Sequence, residues 1–200
     1  KQNPRKIYLI EKDKFLASEL KKKFKLQKKI LVINADILKI DERKIIDNNV
    51  TVYSNLPYNI STQALAKWAL LNKWMPWYNC LILMFQKEVA NRILAKKQTK
   101  EYGRLSILSN WRLEIKKHFD ISKNCFFPKP KVNSTLLSFK PIRKIKYELK
   151  NPKLLEKITR VFFSNRRKMI NKPFTKIFNE KSEVNKKFKI NLKLRPEDLD

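Results

Sequence analysis

The stretch Val50-Thr51-Val52-Tyr53-Ser54-Asn55-Leu56-Pro57-Tyr58-Asn59-Ile60-Ser61 decides how the chain is read. Its first five residues are β-branched or aromatic in the main and read as a strand, while the apolar residues after Ser61 recur at helical spacing. Between them stands the tetrad Asn55-Leu56-Pro57-Tyr58, at a strand's C-terminal end, which is where ligands bind in open α/β sheets. Ser61 or Thr62 is the expected cap of a helix running to Leu71.

The same alternation continues outward. Further strands are predicted at Lys6 to Ile10, Ile30 to Asn34, Asn79 to Phe85, Leu113 to Phe119 and Val132 to Phe139, with helices at Lys14 to Phe24, Lys87 to Ala95 and Leu105 to Asn110. Strands alternating with amphipathic helices predict the α/β class, a sheet with helices on its faces. The last two strands are joined by the loop Ser122 to Lys131, with two prolines and no room for a long helix, so an antiparallel pair at one edge is expected. After Phe139 the character changes. Leu154, Leu155, Ile158, Val161 and Phe162 recur at helical spacing, and Pro173 to Phe178 and Glu183 to Phe188 read as further short helices. The predicted organisation is a sheet domain over residues 1–141 and a small all-helical domain over residues 142–200.

Lys and Arg number 47 against 18 acids, a formal charge of +29, which favours an acidic polymer as partner and salt-dependent binding. Abundant Lys, Asn and Ile also follow from A- and T-rich codons, so charge alone leaves nucleic-acid binding open. The last 60 residues carry a net +11 and the first 140 a net +18, so the tail is only modestly the more basic. Apolar runs such as Cys80 to Phe85 are too short to span a bilayer and the N-terminus has no signal-like core, so a soluble cytoplasmic protein is expected. Cys80 and Cys125 lack the spacing of a metal or redox site, and no metal is expected. The lone histidine, His118, lies away from every motif and is given no catalytic role.

The tetrad suits one kind of chemistry. An exocyclic amino group on adenine is a poor nucleophile because its lone pair is delocalised into the ring. The Asn55 side-chain oxygen and the Pro57 carbonyl can both accept from that group and orient it, and Tyr58 can stack on the base. Stacking contributes about 1–3 kcal/mol, enough to offset much of the cost of extruding a base. Taken alone, the tetrad also reads as an ordinary turn.

The neighbours extend the reading. NLPYNIS, LMFQKEVANRI, EYGRLSI, FFPKPKVNS and SNRRKMI, in this order, resemble the ribosomal RNA small-subunit adenine-N6 dimethyltransferase family in its bacterial branch, from about Lys6 to the C-terminus. The resemblance implies a class I, Rossmann-like methyltransferase sheet that uses S-adenosylmethionine to dimethylate two adjacent adenosines in a 3′-terminal hairpin loop of 16S RNA. It implies a monomer acting on the 30S subunit, with a role in small-subunit biogenesis, and direct methyl transfer without metal or covalent intermediate. Glu11 matches the acid that holds the cofactor's ribose hydroxyls and Asp36 the one that binds its adenine amino group, with Asn55 a third cofactor neighbour. Phe126 matches the aromatic placed against the target base, so that the base lies between it and Tyr58; the alternative for Phe126 and Phe127 is core packing below the loop, for which Phe127 is the better candidate. Arg92, Arg104, Lys129, Lys131, Arg166, Arg167 and Lys168 are the implied RNA contacts, the last three on the helical domain's first helix.

The sequence departs from the family in three places. The glycine-rich turn after the family's first strand is missing, as is the Phe-Gly-Gln-Asn segment before it, so the first, central strand is expected to be absent through truncation. These 200 residues alone are then expected to bind the cofactor poorly and to be inactive. Ser54 stands where relatives usually carry Gly. Gly103, the only glycine, is read as a position that tolerates no side chain. Two rivals remain at this level: an assembly factor for immature 30S particles with secondary or no catalysis, and a 23S RNA adenine methyltransferase conferring antibiotic resistance.

Overall fold

Each strand-like run in the sequence is a strand in the computed structural model, which describes residues 3–178 and 183–199. By compactness the chain divides at residue 50, into units Lys1–Val50 and Thr51–Asp200. The composition boundary at 141/142 falls within the second unit, where sheet gives way to helices.

In the first unit, β1 (Ile7–Glu11) and β2 (Ile30–Asn34) pair in parallel, Ile7 opposite Ile30 and Glu11 opposite Asn34, with α1 (Lys14–Lys23) as the crossover. Asp13 starts α1 by accepting from the Leu16 N–H at 2.9 Å, and Lys21, Lys22 and Lys23 complement the dipole at its other end.

In the second unit the strand order is β3 (Val50–Ser54), β4 (Tyr78–Gln86), β6 (Ser134–Pro141), β5 (Leu113–Ile121). The expected antiparallel pair is present, with β5 at the edge and β6 also antiparallel to β4. Among the described residues the strands thus form two sheets, of two and four strands. The core of the second follows the pleat: Leu81, Leu83 and Phe85 of β4 and Leu137 and Phe139 of β6 are buried, as are Ala64, Leu65 and Trp68 of α2 (Tyr58–Ala69). His118 stands where the β5–β6 register shifts, its Nε2 at 2.8 Å from Ser138 Oγ.

One helix start differs from expectation. Helix α2 begins at Tyr58, not Ser61, because extended Pro57 serves as its N-cap; the Ser61 hydroxyl instead donates back to the Tyr58 carbonyl at 3.1 Å. Helices α3 (Lys87–Leu94) and α4 (Arg104–Asn110) follow the sequence reading closely. They are tied together by buried Ser106, which donates to the Arg92 carbonyl at 2.6 Å, and by Asn110, which donates to the Ile93 carbonyl at 3.1 Å.

After β6 come α5 (Pro152–Phe162), α6 (Asn171–Ile177) and α7 (Glu183–Phe188). Asn151 caps α5, accepting from the Lys153 N–H at 3.1 Å, with Pro152 in the first turn. Phe162, Ile170 and Phe174 form a small core of their own, packed by Ile158, Phe163, Ile177 and Leu199 among others. Buried Arg112 fastens the segment leading into these helices. Its guanidinium lies 3.8 Å from the Trp111 ring and 4.9 Å from the Trp74 ring and donates to the Leu71 carbonyl, while Trp74 and Trp111 donate to the carbonyls of Ile142 and Tyr147. Nothing in the motif pattern pointed to this clamp. No helix among the described residues is long and apolar enough to cross a membrane.

Candidate active site

The tetrad and the proline-rich loop meet. Asn55, Leu56, Pro57 and Tyr58 line a cleft of about 280 Å³ together with Phe126, Phe127, Pro128 and Pro130. Asn55 is exposed and, among the described residues, its amide is uncommitted. Tyr58 is half-buried, its hydroxyl 2.8 Å from Ser134 Oγ, and Ser134 is fully buried at the first rung of β6, opposite Gln86 and Ile121. The phenol ring is therefore anchored at its far end and forms a fixed wall. Asp120, one rung further, is held well below the usual carboxylate range by Lys87, Lys117 and Thr135, so α3 and the ends of β5 and β6 are fastened together beside that wall. The loop is pinned at both ends: Asn133 accepts from Lys123 through its side chain and from Lys87 through its carbonyl, and Ser122 accepts from Cys125 and Asn124.

Two details correct the sequence reading. Phe127, the better candidate for core packing, is fully exposed, and Phe126 is the half-buried one. The Pro57 carbonyl accepts from the N–H groups of Ile60 and Ser61 at 3.0 and 3.1 Å, as the cap of α2 must, so both its lone pairs are engaged.

In the first unit, Glu11 is the last residue of β1 and Asp36 lies two residues beyond β2, at the C-terminal ends of the parallel pair, and both are half-buried. Asn34 donates to the carbonyls of Glu11 and Lys12 at 2.9 and 3.0 Å, and Glu11 accepts from the Asp13 N–H at 2.8 Å. Asp36 accepts from the Leu38 N–H and pairs with Lys12 at 3.0 Å, and these two interactions, the backbone one first, hold its carboxyl below the usual range and so ionised. The two carboxylate acceptors suit a nucleoside, whose hydroxyls and amino group donate.

A second cleft in the larger unit holds about 1830 Å³ and collects three of the sequence motifs: Arg92 of α3, Arg104 of α4 and the run Arg166-Arg167-Lys168. The run lies in a turn beyond the end of α5, not on the helix, because α5 closes at Phe162 and a short 3₁₀ turn follows. Most of these cations are committed: Arg92 pairs with Glu88, Arg104 with Glu156 at 2.6 Å, and Arg166 with Glu197 at 2.8 Å. Arg167 and Lys168 are exposed and, among the described residues, make no ion pair. Glu197 and Arg195 in this cleft escaped the sequence reading, since neither belongs to a motif and Glu197 lies 31 residues from its partner Arg166. Lys129 and Lys131 are exposed on the proline-rich loop, outside this cleft. Gly103 has an extended backbone, φ −177°, and an added Cβ would lie 3.8 Å from Phe163, an ordinary contact, so the position does admit a side chain.

Comparison with known proteins accords with this arrangement. The model of the family described as ribosomal RNA adenine dimethylase matches residues 1–199. The chain is 52% identical over all 200 residues to the ribosomal RNA small subunit methyltransferase A of Pelagibacter ubique, of which it spans 75%. It is 40% identical over 198 residues to the protein of that name from a Wolbachia of Drosophila simulans, spanning 71% of it. In fold it resembles a dimethyladenosine transferase from Plasmodium falciparum, with a TM-score of 0.71 at 23% identity over 98% of this chain and 78% of that one. It also resembles the 23S rRNA methyltransferase ErmE, with a TM-score of 0.61 at 21% identity over 98% and 80%. The fold is that of the class I methyltransferases, and the chain belongs to the ribosomal RNA adenine dimethylase family.

Proposed function

We propose that the full-length protein to which these 200 residues belong carries out N6,N6-dimethylation of two adjacent adenosines in a 3′-terminal hairpin loop of 16S ribosomal RNA, on the 30S subunit and as a step in its biogenesis. The observation that carries this is the small cleft: an uncommitted amide, Asn55, stands beside an anchored aromatic wall, Tyr58, and a second aromatic, Phe126. S-adenosylmethionine, when bound, supplies the electrophilic methyl group. Glu11 accepts from its ribose hydroxyls and ionised Asp36 from its adenine amino group, a fit the half-buried carboxylates at the strand ends support.

The remaining work falls to alignment. Asn55 Oδ1 accepts from the target amino group and holds its nitrogen lone pair in one direction. The second acceptor, expected at Pro57, passes to the carbonyl of Leu56, the neighbouring cleft residue, because that of Pro57 is engaged by α2. Tyr58 and Phe126 hold the extruded ring between them. Residues 142–200 serve as a helical RNA-binding domain, presenting Arg166, Arg167 and Lys168 to RNA that Arg92 of α3 and Arg104 of α4 also contact, while Lys129 and Lys131 contact phosphates near the base. The protein works as a cytoplasmic monomer. Both relatives above are named for the small subunit, whereas the large-subunit reading rests on likeness of fold.

The test is Asn55→Ala in the full-length protein, assayed on under-methylated 30S particles with a labelled methyl donor. Transfer should be lost while particle binding persists. Transfer that survives the substitution would overturn the pocket; binding lost along with transfer would favour an assembly factor.

A further inference from the structure

We infer a second nucleobase subsite on the outer face of Phe127, which takes the nucleotide next to the one held in the cleft. The inference rests on the base-pocket reading above and adds a neighbour to it. Phe127 is 102% exposed, the largest exposure among the large apolar side chains of the described residues. Full hydration of a phenyl ring is unfavourable, and this ring belongs to a loop that Asn133 and Ser122 pin at both ends. The loop holds the ring out at the rim of the cleft that Asn55, Tyr58 and Phe126 line.

Geometry and charge name the occupant. A cleft walled by Tyr58 and Phe126 takes one base between the two rings, and the next base on the strand lies outside them. An exposed aromatic beside an extruded base is the kind of platform on which unstacked RNA bases rest, and it accepts any base because each has a π face. Lys129 and Lys131, exposed on the same loop, lie where the connecting phosphates need cations. With two adjacent adenosines as substrate, one occupies the cleft while the other rests on Phe127.

The test uses this chain and a hairpin RNA with two adjacent loop adenosines, each replaced in turn by the fluorescent base 2-aminopurine. Wild type should quench the probe at both positions. Phe127→Ala and Phe127→Leu should each weaken binding about tenfold and abolish quenching at one position while preserving it at the other; Phe127→Trp, which keeps a flat ring, should restore both. Unchanged thermal midpoints are expected, since the ring is fully exposed. Wild-type affinity and quenching in Phe127→Ala would overturn the subsite, and so would a defect seen only with whole particles, which would assign Phe127 to a protein contact. Tyr58→Ala separates the two readings: if it leaves quenching at both positions intact, the base pocket itself fails, whatever Phe127 does.

Discussion

The two clefts of the larger unit differ in kind. The small one is lined by aromatic, proline and amide groups without a single charge, whereas the large one presents ten basic and four acidic side chains. Extruding and orienting one base requires desolvated, rigid, neutral surfaces; capturing a folded polyanion requires cations at long range. On the proposed reading these tasks fall on separate surfaces; several of the large cleft's arginines are restrained by its own glutamates, while Arg167 and Lys168 of the basic run are exposed and make no ion pair among the described residues. The contrast breaks first at Asn55, where Asn55→Ala should lower the transfer rate by about 10²- to 10³-fold, the usual consequence of removing one preorganised polar group from a reacting centre. Such a variant should leave the salt dependence of RNA binding as it was.

Doubly substituting Arg167→Ala and Lys168→Ala should do the reverse. Affinity for ribosomal RNA should fall for matched and unrelated sequences alike, and the slope of log affinity against log salt should flatten by roughly 0.7–0.9 for each phosphate left without its cation. Filter binding over a salt series measures both. A loss confined to the target hairpin, with the slope unchanged, would mean that the large cleft reads sequence and that the division of labour is wrong.

The strands and the lining of the small cleft were legible in the sequence because their causes are local. Runs such as Ile30 to Asn34 and Asn79 to Phe85 have the composition of buried strands, and Asn55 to Tyr58 sits directly against one. What stayed hidden depended on partners distant in the chain or on backbone direction. Ser61 has the chemistry of a cap, yet the extended backbone of Pro57 starts α2 first. Adjacent Phe126 and Phe127 are alike in composition, and only the path of the loop decides which is sheltered. No glycine or proline marks the end of α5, so Arg166 to Lys168 read as helix, and the Arg166–Glu197 pair spans 31 residues without any spacing rule to reveal it.

Tyr58→Phe probes how far rigidity sets the small cleft apart. The substitution keeps the ring but removes the hydroxyl that meets Ser134, leaving a buried Ser134 Oγ without that partner. A buried hydroxyl so orphaned costs about 1–2 kcal/mol, read as a lower denaturant midpoint at unchanged m-value. Base stacking should persist, since the phenyl face is intact. A double-mutant cycle with Ser134→Ala should show coupling of similar size; additive losses would mean that the hydrogen bond does not fix the wall.

The smallest effect is expected in the large cleft, at Gly103. Its backbone is extended, so alanine meets no left-handed strain, and the new Cβ would sit at ordinary distance from Phe163. Two small terms then oppose each other. Alanine restricts the unfolded chain, which stabilises by about 0.4–1 kcal/mol, but it is a poorer helix cap than glycine by a similar amount. The Gly103 N–H keeps its bond to Ser106 Oγ either way. Gly103→Ala should therefore change stability by less than about 0.5 kcal/mol, which for a chain of this size moves the thermal midpoint by no more than about 2 °C. A loss several times larger would restore the reading of Gly103 as a position closed to side chains, and would show that the large cleft is as tightly constrained as the small one.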